Sequence, residues 1–151
     1  MKRITTTAVI LLMSLTTSSV FAQKMEESKK NIFADYPTKI EVSNNTLENV
    51  FTALPGETVS IVFNAQFKFT GTVMSNQVKY ATLQSVLIKS DNLSSTLFQV
   101  SKITNEDKTI SFVGRIINPN ALDGYEIKKD VANNYRLQKF ESKNVLQDCS
   151  Y

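Results

Sequence analysis

The chain has 151 residues, and its 17 basic and 14 acidic side chains give a formal net charge of +3. Nucleic-acid-binding proteins carry a stronger positive charge, so we expect no nucleic acid as a partner. The chain has no histidine, one cysteine and four widely separated glycines, which excludes histidine-based catalysis, thiolate metal clusters and a glycine-rich phosphate loop. We therefore expect no metal and no cofactor.

The N-terminus has the pattern of a secretory signal. Lys2 and Arg3 precede a short apolar run, and Val20 and Ala22 suit cleavage after Ala22, so residues 1–22 are predicted to be a signal peptide. The junction resembles export signals of Bacteroidota-type bacteria. The apolar run is shorter than the roughly 20 residues that span a bilayer, so no membrane span is expected after cleavage. The sequence thus predicts an exported protein, periplasmic or extracellular, whose mature chain carries a charge of +1.

Two further segments follow the signal. Residues 23–36 are polar and charged, and we interpret them as a flexible lead-in that ends where Ile32 and Phe33 begin to dock. Residues 37–151 are predicted to form one β-rich domain. Its first strand is indicated by the alternation that places Ile40 and Val42 on one face.

One helix is predicted at about residues 46–54. A single apolar stripe with helical spacing is formed by Leu47, Val50, Phe51 and Leu54. Asn45 lies three residues before Glu48, the spacing of a helix-capping arrangement, and Pro55 with Gly56 is expected to end the helix. Such a stripe is typical of a helix packed on a core.

The remainder alternates with a period of two. Strands are predicted at 57–63, 66–73, 78–90, 96–104, 109–117, 125–130 and 135–140. A turn is expected at 75–77, and hairpins are expected around 105–108 and 131–134. About eight strands and one short helix indicate a mainly-β fold, either a sandwich or a curled antiparallel sheet or barrel. The alternative is an α+β fold with the helix packed on one antiparallel sheet.

Asp123 and Glu126 are the candidate catalytic pair. Two carboxylates in one concave site could cleave a glycosidic bond, which makes a small carboxylate-based hydrolase an alternative function. The ordinary interpretation favours a turn-forming Asp123 beside Gly124 and a solvent-facing Glu126. The oxygen-rich loops at 118–124 and 130–134 lack the terminal bidentate glutamate of a calcium loop. We accordingly expect no catalytic residues and no metal ligands.

A second alternative is a carrier of a small apolar ligand in the β core. Five phenylalanines would line that interior: Phe63, Phe67, Phe69, Phe98 and Phe112. Small barrels are usually filled by their own side chains, so packing is the favoured interpretation of these rings.

Cys149 is the only thiol and the third residue from the end of the sequence. An odd cysteine in an exported protein indicates either a disulfide to another chain or a free thiol, and free cysteine also packs as a small apolar residue. Combined with β edges that can accept a strand, these features predict an exported, non-catalytic interaction or binding protein of the bacterial envelope or secretome. Its expected partner is another exported protein.

Overall fold

The computed structural model describes residues 29–141 as one antiparallel sheet with a single short helix. The elements, in chain order, are β1 Lys39–Val42, α1 Asn44–Val50, β2 Thr58–Val62, β3 Lys68–Tyr80, β4 Leu83–Ser90, β5 Leu97–Thr104, β6 Ile110–Ile117, β7 Asp123–Lys129 and β8 Tyr135–Glu141. The eight strands curl into a half-barrel. The mainly-β prediction is confirmed.

The strand order is β1-β8-β7-β6-β5-β4-β3-β2. Strands β2 to β8 form a meander of neighbours, and β1 pairs with β8, the last strand of the described residues. Helix α1 therefore joins the two edge strands, β1 and β2. The predicted hairpins around 105–108 and 131–134 are both present, and Lys108 and Asn133 adopt the positive φ angles that their turns require.

The hydrophobic core lies on the concave face of the sheet, where α1 packs. Alternate residues of each strand point there, so the concave face collects the aromatic and branched side chains while the convex face stays in solvent. Fully buried concave side chains include Phe67, Phe69, Ile88, Phe98, Val100, Ile116, Tyr125 and Leu137. Gly71 also points inward, and an added Cβ there would lie 2.3 Å from the Lys89 carbonyl oxygen. The glycine thus permits close approach of β3 and β4.

Helix α1 begins and ends earlier than predicted. Ser43, rather than Asn45, is the N-cap, because its hydroxyl accepts a hydrogen bond from the Thr46 backbone N–H at 3.0 Å. The helix ends at Val50 because the next turn tightens: the Phe51 N–H donates to the Glu48 carbonyl. Leu54, the fourth residue of the predicted stripe, is 69% exposed.

The turn predicted at 75–77 is wrong, because β3 continues unbroken to Tyr80. A bulge at Met74 shifts the alternation, so that Val73 and then Asn76 point to the concave face. There the Asn76 side-chain amide donates to the carbonyls of Phe51 and Ala53, at 2.9 and 2.8 Å. Asn76, which has the composition of a turn in the sequence, therefore fixes the segment that follows α1.

Candidate functional site

Asp123, the first member of the predicted carboxylate pair, is buried beneath the segment that precedes β1. Its side chain is on the concave face, and the residue is only 4% exposed. The two carboxylate oxygens accept hydrogen bonds from the backbone N–H groups of Ile32 and Phe33, at 2.9 and 3.0 Å. Its carboxylate thus satisfies one buried and one partly buried backbone donor that would otherwise lack partners.

Lys139 on β8 holds the same segment from its other end. Its ammonium donates to the carbonyls of Phe33, Ala34 and Tyr36, at 2.5, 3.3 and 2.6 Å. We refer to residues 31–37 as the strap. The Asp123 carboxylate thus binds N–H groups of the strap, and the Lys139 ammonium binds its carbonyls. Lys30, just before the strap, forms a parallel backbone β-bridge with Ala121. Residues 30–36 of the predicted flexible lead-in therefore pack on the sheet.

Tyr125 completes the attachment of the strap, since its hydroxyl donates to the Pro37 carbonyl at 2.6 Å. Burial of the phenol, together with the negative charge of Asp123, raises the pKa of Tyr125 from 10.0 to about 12. The raised pKa means that the folded state keeps a proton that the unfolded chain loses near pH 10.

We therefore expect the free energy of unfolding to fall as the pH rises from 10 to 12. The fall should be about 2 kcal/mol larger in the unmodified protein than in the variant Tyr125→Phe. Urea unfolding at intervals across this range measures the effect. Since the variant lacks the titrating hydroxyl, the difference between the two proteins isolates it from lysine titration. Parallel stability curves would contradict the assignment.

Glu126, the second member of the predicted pair, lies on the opposite face of β7 from Asp123. On the convex face its carboxylate forms ion pairs with Arg115 at 3.2 Å and Lys128 at 2.7 Å. Partial burial alone would raise the pKa of Glu126, but hydrogen bonds from Lys128 and Arg115 hold it below the usual value. The structure does not bring Asp123 and Glu126 together, and each is engaged in contacts of its own.

Glu126 belongs to a patch that the sequence did not single out. This convex-face patch surrounds a shallow groove of about 410 Å³ and is formed by Gln99, Ser101, Val113, Arg115, Ile117 and Glu126. Val113 is 49% exposed and Ile117 is 38% exposed, although both are branched apolar residues on a solvent-facing sheet. The patch combines apolar side chains with one ion pair on a rigid surface of three strands.

The five phenylalanines proposed to line a ligand cavity are all buried and contact one another or neighbouring aromatic rings. Phe63 stacks on Phe67 at 5.6 Å between ring centroids and meets Phe98 edge-on at 5.8 Å. Phe69 also contacts Phe98, and Phe112 stacks with Phe51 of the turn after α1. These separations are typical of packed aromatic pairs.

The oxygen-rich loops use their side chains to cap backbone groups. The Asp130 carboxylate accepts from the N–H groups of Ala132 and Asn134, and the Asn118 side chain accepts from the Asn120 N–H. Hydrogen bonding to the Asn134 backbone is the main cause that lowers the pKa of Asp130. Across residues 29–141 no group of three or more acidic or cysteine side chains is placed to hold a metal ion.

Two predictions fall on residues beyond 29–141. Cys149 and the signal segment 1–22 both lie outside the described residues. Within the described part of the chain, no helix is long and apolar enough to span a membrane. No protein-family profile, no curated protein and no solved structure matches this chain.

Proposed function

We propose that this chain is an exported, non-catalytic interaction protein of the bacterial envelope or secretome, and that the convex-face patch binds another exported protein. The observation that carries the proposal is the exposure of Val113 and Ile117 on the solvent side of the sheet. The solvent face of an antiparallel sheet is normally polar, and exposed apolar groups clustered within a polar rim mark binding surfaces.

The chemistry of the patch indicates what would fit it. Val113 and Ile117 flank the groove on β6 and offer apolar contact, and Arg115 lies between them with half of its side chain exposed. Glu126 engages one nitrogen of the guanidinium, at 3.2 Å, which leaves other donors of Arg115 for a ligand. We expect the partner to present apolar side chains beside a carboxylate or a backbone carbonyl. Since strands β5 to β7 hold the patch, binding requires little ordering of this chain.

The test is affinity capture from the exported fraction of the native host with the double variant Val113→Asp and Ile117→Asp. We expect capture of the partner to fall at least about tenfold, because two charged carboxylates would replace the apolar side chains that the partner contacts, and burying a charge in an apolar contact is costly. Val131→Asp is the matched control, since Val131 is fully exposed at the tip of the β7–β8 hairpin, away from the patch. Equal capture by the double variant and the control would contradict the proposal.

A further inference from the structure

Strand β2 is an edge of the sheet, and its outer backbone groups face away from β3. The Phe63 N–H donates to the Phe67 carbonyl at 3.1 Å, so the backbone groups of Phe63 point toward β3. In an antiparallel pair every second residue does the same, so the backbone groups of Ile61 and Val59 also point toward β3. The N–H and C=O groups of Thr58, Ser60 and Val62 consequently point outward.

The two edges of the sheet differ in how they are protected. Edge strand β1 carries the charged, exposed side chains of Lys39 and Glu41, which disfavour addition of another strand. Edge strand β2, with sequence TVSIV, has no charge and no proline, and Val62 is 57% exposed. Four of its five residues are β-branched, the composition that pairs best in sheets. Of the two edges that residues 29–141 form, β2 is therefore the one without a charged side chain to disfavour pairing.

We propose that a second copy of this chain pairs with β2 through its own β2, antiparallel and centred on Ser60. This register joins all three outward-facing residues of each copy, because Thr58 lies opposite the second copy's Val62 and Ser60 lies opposite the second copy's Ser60. Pairing of this kind forms about six backbone hydrogen bonds. It opposes small or apolar side chains across the join, with no like charges facing each other. The sheet then runs continuously through both copies.

A second copy suits this edge because it brings the same strand. Its β2 has the same length and the same three outward-facing residues, again without charge or proline, so each outward donor and acceptor finds a partner at the join. Lys68 pairs with Val62 on the neighbouring β3 and lies one strand from the second copy's uncharged Thr58, so the two-fold symmetry brings no like charges together at either end of the join. Beside the edge, a groove of about 390 Å³ between α1 and β2 leaves room for the approach of the second copy. The self-complementary strand and the open groove therefore favour a second copy as the occupant.

The experiment measures the molar mass of the protein, produced from the full 151-residue chain, by sedimentation over a wide range of concentration. Reductant is present throughout, so that Cys149 cannot link two copies. We expect a reversible dimer. Ser60→Lys and Ser60→Glu should each weaken it about 10- to 100-fold, because two like charges then face each other at the symmetry axis. Mixing the two variants should restore dimers of one lysine and one glutamate copy.

Lys39→Glu is the matched control, since it changes a charge on the opposite edge and should leave the dimer intact. The Ser60 side chain is exposed on the convex face, so circular dichroism of both Ser60 variants should remain that of the folded protein. The proposal is overturned by an unmodified chain that stays monomeric at every concentration, by a dimer insensitive to Ser60→Lys, or by no recovery on mixing. Binding of a foreign extended peptide to a chain that stays monomeric would also overturn it.

The dimer does not depend on the proposed binding to another exported protein, because the convex-face patch lies on β5 to β7, away from β2. The variant Val113→Asp with Ile117→Asp should therefore lose capture of the partner and still sediment as a dimer. Failure of one proposal is thus distinguishable from failure of the other.

Discussion

Replacing Asp123 by alanine is expected to lower the free energy of unfolding by about 3 kcal/mol. The carboxylate accepts from the N–H groups of Ile32 and Phe33, and removing it leaves a partly buried and a buried donor without partners. Hydrogen bonds to a charged group contribute about 1.5–3 kcal/mol each, and a water molecule that enters the site would recover part of the lost stability. Urea unfolding followed by circular dichroism measures the change in the free energy of unfolding.

Asp107→Ala is the matched control for this change. Asp107 also accepts from a backbone N–H, that of Thr109, but it does so in an exposed turn where water can replace the carboxylate. We expect a loss below about 1 kcal/mol. If both alanine variants were equally stable, the strap would not depend on Asp123. Amide hydrogen exchange at Ile32 and Phe33 provides an independent measure, since both amides should lose protection in Asp123→Ala.

Phe67→Ala is expected to cost about 3–5 kcal/mol, the usual range for truncating a fully buried phenylalanine. Phe67 packs against two aromatic rings of the strap and against Tyr125 of the sheet. Its ring centroid lies 4.9 Å from that of Tyr36, 6.2 Å from Phe33 and 5.3 Å from Tyr125. Alanine would leave a cavity between strap and sheet that packed neighbours fill only in part.

Phe67→Leu keeps most of the buried volume and should cost clearly less than Phe67→Ala, about 1–2 kcal/mol. Phe140→Ala serves as a control, because Phe140 is only partly buried and lies on the convex face. The same urea experiment ranks the three variants. A loss of less than about 1 kcal/mol for Phe67→Ala would contradict the role of this ring in holding the strap on the sheet.

Alternation in the sequence was sufficient to find most of the strands and their buried faces. One polar residue separates Ile40 from Val42, and one separates Tyr125 from Ile127. In a half-buried strand this spacing places both apolar side chains on the buried face. The helix limits were wrong because local contacts of Ser43 and Phe51 set them, whereas the turn at 75–77 was wrong because of a distant contact. Asn76 and the Phe51 carbonyl contact each other across 25 residues, and no local pattern reports a tertiary hydrogen bond of that kind.

The candidate site was less accessible to sequence analysis than the fold. Asp123 beside Gly124 has the composition of a turn, and its true contacts lie about 90 residues earlier, in the strap. Val113 and Ile117 alternate as a strand requires, but alternation defines two faces without saying which one is covered. Phe112 and Ile116 on the same strand turned out to occupy the covered side. The convex-face patch could be recognised only once the concave side was known.

The pairing of β1 with β8 determines when folding can finish. Lys39 lies opposite Gln138, and the strap likewise needs Asp123 and Lys139, so the earliest described segments take their places only after the last strand is available. Contacts this distant in sequence make folding slow relative to chains with local contacts, in the millisecond-to-second range typical of such β topologies. A nascent chain that ends before residue 135 can form the β2–β7 meander, but β7 then has a bare edge. Strand β8 thus covers the edge of β7 and prevents that edge from pairing with a neighbouring chain.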